Sequence, residues 1–335
     1  MSSQQTVLTG IKPTGRFHLG NYLGMIRPAL DAMAHNKGED NYLFLADIHS
    51  ISSVLDAKKM RDFTYEGAAT LIACGLDPDE VCIFRESDVP EIAELSAYLM
   101  HVTPKGLMNR AHAYKAATDG RPQDDNIDVG VSMGLYTYPI LMAADILAFG
   151  TTTVPVGSDQ VQHVEFARDI AGYFNNAFGE TLVLPKHQVR PGVAIVPGID
   201  GRKMSKSYNN HIPVFDSEKD ITAAVKRIVT DSARPEDVKD PENNNVYLIY
   251  KALAGADESA AFADRFRQPG LGYGEAKQIL ADKIIATFAD ARPKFEALIA
   301  DTPQLDRILA QGAAKARAKA AAQLSKARKA LGFMG

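Results

Sequence analysis

Across its first two-thirds the chain alternates short β-type apolar runs with stretches whose apolar residues recur at helical spacing. A chain written that way closes into few folds other than a parallel sheet covered by helices. Thr6 to Thr9, Tyr42 to Asp47, Val81 to Arg85 and Thr152 to Val156 read as strands. Between them Leu23, Ile26, Leu30 and Met33 mark one helix, and Phe63, Ala69 and Ile72 mark another that Gly75 and Pro78 stop. The expectation is a doubly wound α/β sheet. After about Pro213 the character changes. Asp216 and Ser217 offer a helix cap, Ile221, Val225 and Ile228 follow at helical spacing, and no strand is readable to the end, which predicts an all-helical second domain. The polar segment Ser232 to Asn245, with Pro235, Pro241 and three consecutive Asn residues, reads as a loop within it.

With 335 residues, 46% of them hydrophobic and 23% charged, the chain can bury a sizeable core in one large domain plus a smaller one. It has no run of about 18 apolar residues. Its start, Met1-Ser2-Ser3-Gln4-Gln5, carries neither an apolar signal core nor an Arg-rich presequence. These features predict a cytoplasmic protein with no membrane segment. Cys74 and Cys82 are too few for a four-thiolate zinc or iron-sulfur site and too sparse for a disulfide scaffold, so both read as inert core residues. A net charge of -4 means that the surface as a whole does not attract a polyanion, and any nucleic-acid contact must rest on a local patch. Past Arg307 one such patch exists: Lys315, Arg317, Lys319, Lys326, Arg328 and Lys329, with no acidic residue among them, in an Ala-rich stretch that reads as helix.

Two segments carry chemistry. Gly10-Ile11-Lys12-Pro13-Thr14-Gly15 leaves the first strand as a turn-rich loop, and His18-Leu19-Gly20-Asn21 opens the next helix. In open α/β sheets ligands sit beyond the carboxyl ends of the strands, where helix N-terminal amides favour a phosphate. Gly20 leaves room for a nucleotide against the backbone, and His18 and Asn21 can donate to phosphate oxygens. By itself, the four-residue string is better explained by a turn glycine and a helix-start asparagine. Gly201-Arg202-Lys203-Met204-Ser205-Lys206-Ser207 is a polar, glycine-flanked loop whose two ammonium groups can reach a triphosphate and stabilise the charge that migrates onto departing pyrophosphate.

The two strings, in this order, resemble the paired signatures of class I aminoacyl-tRNA synthetases. Within that class the chain resembles the tryptophanyl-tRNA synthetase family over nearly its whole length. Lys12-Pro13-Thr14-Gly15 with Asn21-Tyr22-Leu23-Gly24, Asp47-Ile48-His49, the run Tyr138 to Leu147, the run Val154 to Glu165 and the closing Gly312 to Arg317 carry the likeness. Tyrosyl enzymes share the fold but typically place Gln where Met142 stands, so the Met-Ala-Ala-Asp run discriminates the two.

This resemblance implies a Rossmann-like catalytic domain with a helical insertion over residues 1–212, ending in the Lys203 to Ser207 loop. It also implies a helical domain over 213–335 that recognises the tRNA anticodon, its last helix either reaching toward RNA or packing back on the catalytic domain. It assigns Lys12, Pro13, Thr14, His18, Gly20, Asn21, Gly157, Asp159 (to the ribose), Lys203, Met204, Ser205 and Lys206 to ATP. Lys203, Lys206, Lys115, Thr14 and His18 would act in catalysis. Asp145 would accept the indole N–H, Met142 line the ring, Tyr138 and Gln160 hold the ammonium and carboxylate, and His49, Val154 and Val156 complete the tryptophan pocket. Bottom-up chemistry agrees for Asp145, since a carboxylate inside Leu141-Met142-Ala143-Ala144-Asp145-Ile146-Leu147 is out of place as a solvated charge. Left unpaired by phenylalanine, it would reject that substrate. Lys12 stands where many members have Gln, and the residues before Lys115 depart from the commonest form of that segment. No dense carboxylate cluster suggests a protein-built metal cage, so Mg2+ would arrive bridging the ATP phosphates. The implied partners are L-tryptophan, ATP, tRNA(Trp) and a second copy of the chain. A tyrosyl enzyme and a synthetase-like paralogue that does not aminoacylate are the alternatives.

Overall fold

The computed structural model describes residues 5–35, 40–121, 127–157, 160–189 and 196–334. Five parallel strands form one sheet: β1 (Thr6–Ile11), β2 (Asp40–Leu45), β3 (Cys82–Arg85), β4 (Thr153–Val156) and β5 (Lys186–Val189), in the spatial order β3-β2-β1-β4-β5. The order reverses at β1, so a crevice opens beyond the carboxyl ends of β1 and β4, where ligands of such sheets bind. β1 is buried on both faces, Leu8 facing one core and Val7 and Ile11 the other, as a central parallel strand requires.

The helices are α1 (Leu19–Asn21), α2 (Arg27–His35), α3 (Asp47–Ser50), α4 (Ala57–Ala73), α5 (Pro90–Val102), α6 (Lys105–Met108), α7 (His112–Thr118), α8 (Met133–Leu147) and α9 (Val161–Phe178). After β5 come α10 (Glu218–Lys226), α11 (Asn245–Leu253), α12 (Ala256–Phe266), α13 (Tyr273–Thr287), α14 (Ala291–Ala300) and α15 (Thr302–Ala330). One sheet face is covered by α5, α8, α9 and the later part of α15, the other by α2, α4, α14 and the start of α15. A third core joins α10 to α13 with Leu19 and Leu23 of the first helical stretch and with Met204 and Ile212, so the helical region is fused to both signature segments.

The strands read from sequence are present with shifted ends. β1 runs two residues further than Thr9, and β2 spans Asp40–Leu45, so Asp47 belongs to α3. There its carboxylate accepts from the Ile48 and Ser87 amides and from the Ser87 hydroxyl, which fixes α3 against the turn after β3. The helix expected from Leu23 to Met33 opens with a π-helical turn, Tyr22–Ile26. The polar segment read as loop up to Asn245 ends instead in a 3₁₀ turn (Pro241–Asn243), and Asn244 caps α11 by accepting from the Val246 and Tyr247 amides. Past Pro213 the described residues contain no strand. Neither cysteine is disulfide-bonded, and burial pushes the Cys82 thiol up to about 11, in keeping with its reading as inert.

The closing helix, α15, packs back on the sheet along β3 and α5. Contact is so close that a Cβ added at Gly312 would lie 1.7 Å from the Ile83 carbonyl oxygen, and the Cys82 thiol donates to the Gly312 carbonyl at 3.1 Å. Half of the basic patch is used in this docking: Arg317 pairs with Glu91, Lys319 with Asp40 and Arg328 with Glu94. Lys315, Lys326 and Lys329 stay exposed. Among the described residues, no helix is long and apolar enough to cross a membrane.

Candidate active site

The two signature segments meet at the crevice. His18 caps α1 through its ring: Nδ1 accepts from the Asn21 amide at 3.3 Å, and Asn21 Oδ1 accepts from the His18 amide at 3.2 Å. The pair holds the helix start open toward the crevice. Burial, then the Lys206 ammonium and His211, push the His18 imidazole down to about 4, so it is neutral. With Nδ1 accepting, the ring proton sits on Nε2, a donor for an anion. The Leu19 amide donates to the Ile212 carbonyl at 2.9 Å, and the Gly20 amide donates to Met204 Sδ at 3.2 Å. At Gly20 a Cβ would stand 3.1 Å from both the His18 ring and Met204 Cβ, so glycine is what lets the second segment lie over the first. Lys206 reaches further. Its Nζ would be 2.8 Å from a Cβ on Gly15, whose φ of +132° also demands glycine, and burial, opposed by Glu66, pushes that ammonium down to about 8.

The second loop is tied by a residue that sequence reasoning passed over. Asn210, 1% exposed, accepts from the Ser205 amide at 2.7 Å and donates to the Lys203 carbonyl at 3.1 Å and to Asp200 at 2.7 Å. Lys203 itself is exposed, held by an isolated bridge to Pro197. Lys12, Pro13 and Thr14 form a tight turn after β1, the Thr14 amide donating to the Lys12 carbonyl.

Deeper in the crevice, α8 presents Tyr138, Met142 and Asp145 at a spacing of four and three residues, one stripe of the helix. Asp145 is fully buried. Its Oδ2 accepts from His49 Nε2 at 3.0 Å, and its Oδ1 has no hydrogen-bond partner. His49 stands on α3, at the carboxyl end of β2, and its amide donates to Glu86 Oε2 at 3.3 Å. Glu86 follows β3 directly, is fully buried, and places Oε1 3.8 Å from His49 Nε2, with no hydrogen-bond partner for that oxygen. Burial holds Asp145 well above the ordinary carboxylate range and His49 below its own. Burial and the neighbouring Asp145 push Glu86 up to about 8. The three groups lie within 4.8 Å of one another, a spacing that a divalent cation can also bridge, but 3.0 Å between His49 and Asp145 is the length of a hydrogen bond. Lys12 lies within electrostatic range of Glu86 and His49 and links this cluster to the loop after β1.

Tyr138 shares a 2.5 Å hydrogen bond with His163 Nε2, and its ring meets His49 edge-on with centroids 6.3 Å apart. Val154 is buried, Val156 and Met142 half-buried, and all three belong to the same apolar cluster. Gln160 precedes α9, its amide donating to the Gly157 carbonyl. Asp159 lies outside the described residues. Lys115 is exposed on α7, which packs on α8. Of the residues singled out in the sequence, the structure therefore joins His18, Gly20, Asn21, Met204 and Lys206 in one group and His49, Tyr138 and Asp145 in another. Glu86, His163 and Asn210 complete these groups and were not singled out as site residues. For Glu86 a signal existed: a carboxylate immediately after a strand, at the sheet edge where ligands bind.

Comparison with known proteins agrees with this geometry. The family model for class I tRNA synthetases (W and Y) matches residues 2–289. A Neisseria meningitidis protein named tryptophan–tRNA ligase is 47% identical over 333 residues, covering 99% of this chain and 98% of the relative. One of the same name from Pseudomonas putida is 48% identical over 331 residues, 98% of this chain and 73% of the relative. The crystal structure of Campylobacter jejuni tryptophanyl-tRNA synthetase complexed with ADP and tryptophan superposes with a TM-score of 0.87 at 41% identity, covering 98% of this chain and 100% of that one. An Archaeoglobus fulgidus tyrosyl-tRNA synthetase, at 19% identity and a TM-score of 0.64, shares the fold. The chain belongs to the class I tRNA synthetases of the tryptophan and tyrosine group, on the tryptophanyl side of it.

Proposed function

We propose that this chain activates L-tryptophan with ATP and transfers it to tRNA(Trp). The tryptophan carboxylate attacks the α-phosphorus, the bond to the bridging oxygen breaks, and pyrophosphate leaves with the electron pair. A ribose hydroxyl at the tRNA terminus then attacks the acyl carbon and loses its proton, and AMP departs. The observation that carries the reading is Asp145. With Oδ2 held by His49, it keeps Oδ1, buried and unpartnered, as a single acceptor in apolar surroundings. A flat apolar ring with one N–H donor satisfies it, and a benzyl side chain leaves it unpaired.

The other residues take their roles around that anchor. Met142, Val154 and Val156 line the ring, and His49 orients Asp145. A Tyr138 hydroxyl that gives its proton to His163 keeps its lone pairs for the tryptophan ammonium, with Gln160 near the carboxylate. On the other side His18 Nε2, Asn21, Gly20 and the turn Lys12-Pro13-Thr14 cradle ATP with Gly157 and Asp159. Lys206 and Lys203, on the Met204-Ser205 loop, receive the charge that builds on pyrophosphate, and Lys115 contacts the phosphates. Mg2+ would arrive with the nucleotide and supply further positive charge against the phosphates that Lys203 and Lys206 face. The helical region from residue 213 recognises the anticodon, and the enzyme works as a homodimer in the cytoplasm.

Exchange of labelled pyrophosphate into ATP, run with each amino acid in turn, is the test. Tryptophan should support exchange and tyrosine should not. Failure of tryptophan, and of every other amino acid, to support exchange would end the enzyme reading, whereas better exchange with tyrosine would end the pocket assignment alone.

A further inference from the structure

Glu86 is fully buried deep in the crevice, yet neither step of the reaction uses it. We propose that Glu86 is a positioning residue for tryptophan recognition, acting through His49 to hold Asp145 with one oxygen turned to the indole. The proposal rests on the reading of Asp145 as the N–H acceptor.

Geometry places His49 between two carboxylates. Glu86 Oε2 accepts from the His49 main-chain amide at 3.3 Å, and its Oε1 stands 3.8 Å from the ring Nε2. The same Nε2 bonds Asp145 Oδ2 at 3.0 Å. His49 sits on a helix of only four residues, α3, whose other anchor is Asp47, bonded to Ser87 next to Glu86. Without Glu86 the His49 amide loses its acceptor, and the imidazole that fixes Asp145 is free to shift. A displacement of about 1 Å at such a site is enough to spoil recognition.

The same arrangement governs charge. Facing the cluster are Lys12 from the loop after β1, Asp47 on α3 and Tyr138 on α8, besides the three members themselves. Two buried carboxylates this close cannot both ionise cheaply. Burial raises both carboxyls, and the hydrogen bond that Asp145 alone receives from the His49 ring places the anion there, which leaves the proton on Glu86, pushed up to about 8. Above that pH a second anion forms beside His49 and competes for the same N–H, so tryptophan binding weakens as pH rises through about 8.

Steady-state pyrophosphate exchange with Glu86→Ala and Glu86→Gln tests this, using tryptophan and 3-benzothienylalanine, in which sulfur replaces the ring N–H. Glu86→Ala should raise KM for tryptophan about tenfold and reduce the preference over the thienyl analogue, with kcat and KM for ATP within about twofold. Glu86→Gln keeps an acceptor for the His49 amide. It should raise KM about threefold at pH 7 and abolish the further rise above pH 8. Comparing it with the parent at each pH cancels ionisation of the substrate amino group. Tryptophan and ATP constants that move together, or an unchanged preference over the analogue, would overturn the proposal. If the alanine variant does not fold, a glutamine variant with the parent's pH profile overturns it. A parent enzyme that activates both substrates equally well removes Asp145 as the indole acceptor, a different failure and visible before any variant is made.

Discussion

The two ends of the crevice are built on opposite plans. On the phosphate side, contacts run between backbone segments far apart in sequence and are individually weak: an amide of Gly20 on a thioether, a half-buried Lys206 laid against Gly15. On the indole side, His49 bonds Asp145 through its ring at 3.0 Å and Glu86 through its amide at 3.3 Å, with both carboxylates out of solvent. The difference follows from what each end must do. A sulfur is a poor acceptor that a phosphate oxygen readily replaces, and a cation on a loop can follow charge as it moves to the leaving group. Discrimination between rings instead requires that a wrong ligand leave a buried group unsatisfied, which only a desolvated, fixed acceptor can enforce.

Substitution at either end should therefore give separable effects. Lys206→Ala should lower kcat for pyrophosphate exchange by about 10² to 10³, with KM for tryptophan within about twofold, because the lost interaction develops only in the transition state. Asp145→Ala should lower kcat/KM for tryptophan by about 10² and leave KM for ATP within about twofold. Steady-state kinetics of both variants, with each substrate varied, would break the comparison if either change affected both constants equally.

Where the sequence is read correctly, it is because one physical effect dominates. β1 to β4 are apolar runs and show themselves as such. β5 is Lys186-His187-Gln188-Val189, exposed along its length at the sheet edge, so no apolar run announces it. Asp145 is legible because a carboxylate inside an apolar helical run has few bland explanations. Glu86, between Arg85 and Ser87, looks like a solvated charge; its place just after a strand is the one local hint, and the packing of α3 against the turn after β3 is what encloses it. The pairing of Gly20 with Met204 and the docking of α15 on β3 are tertiary facts with no local signature. That docking also redirects three of the basic residues that the sequence offers to RNA.

Asn210→Ala sharpens the comparison, since it disturbs the loop without touching either cation. It removes the acceptor of the Ser205 amide and the donor to Lys203 and Asp200, bonds made by a side chain that is itself enclosed, as is Met204. A loss of about 2 kcal/mol in unfolding free energy, read from urea denaturation, should accompany about a tenfold fall in kcat, with the KM for tryptophan hardly changed. A parental kcat in a destabilised variant would show that the loop's geometry is set elsewhere.

The smallest effect is also the most specific. Burial holds the Lys206 ammonium at about 8, so near pH 8 about half the molecules lack that charge before nucleotide arrives. A triphosphate beside it favours the charged form and raises the pKa, so ATP binding at pH 8 should take up about half a proton, and almost none at pH 6.5, where Lys206 is already charged. His18 does not mimic this: held at about 4, it is uncharged at both pH values unless phosphate raises it by several units. Titration calorimetry with ATP alone, in buffers of different ionisation enthalpy, counts the protons directly. The uptake should vanish in Lys206→Ala; if it persists there, another group carries it, and Lys206 does not meet the nucleotide in the way its place over Gly15 indicates.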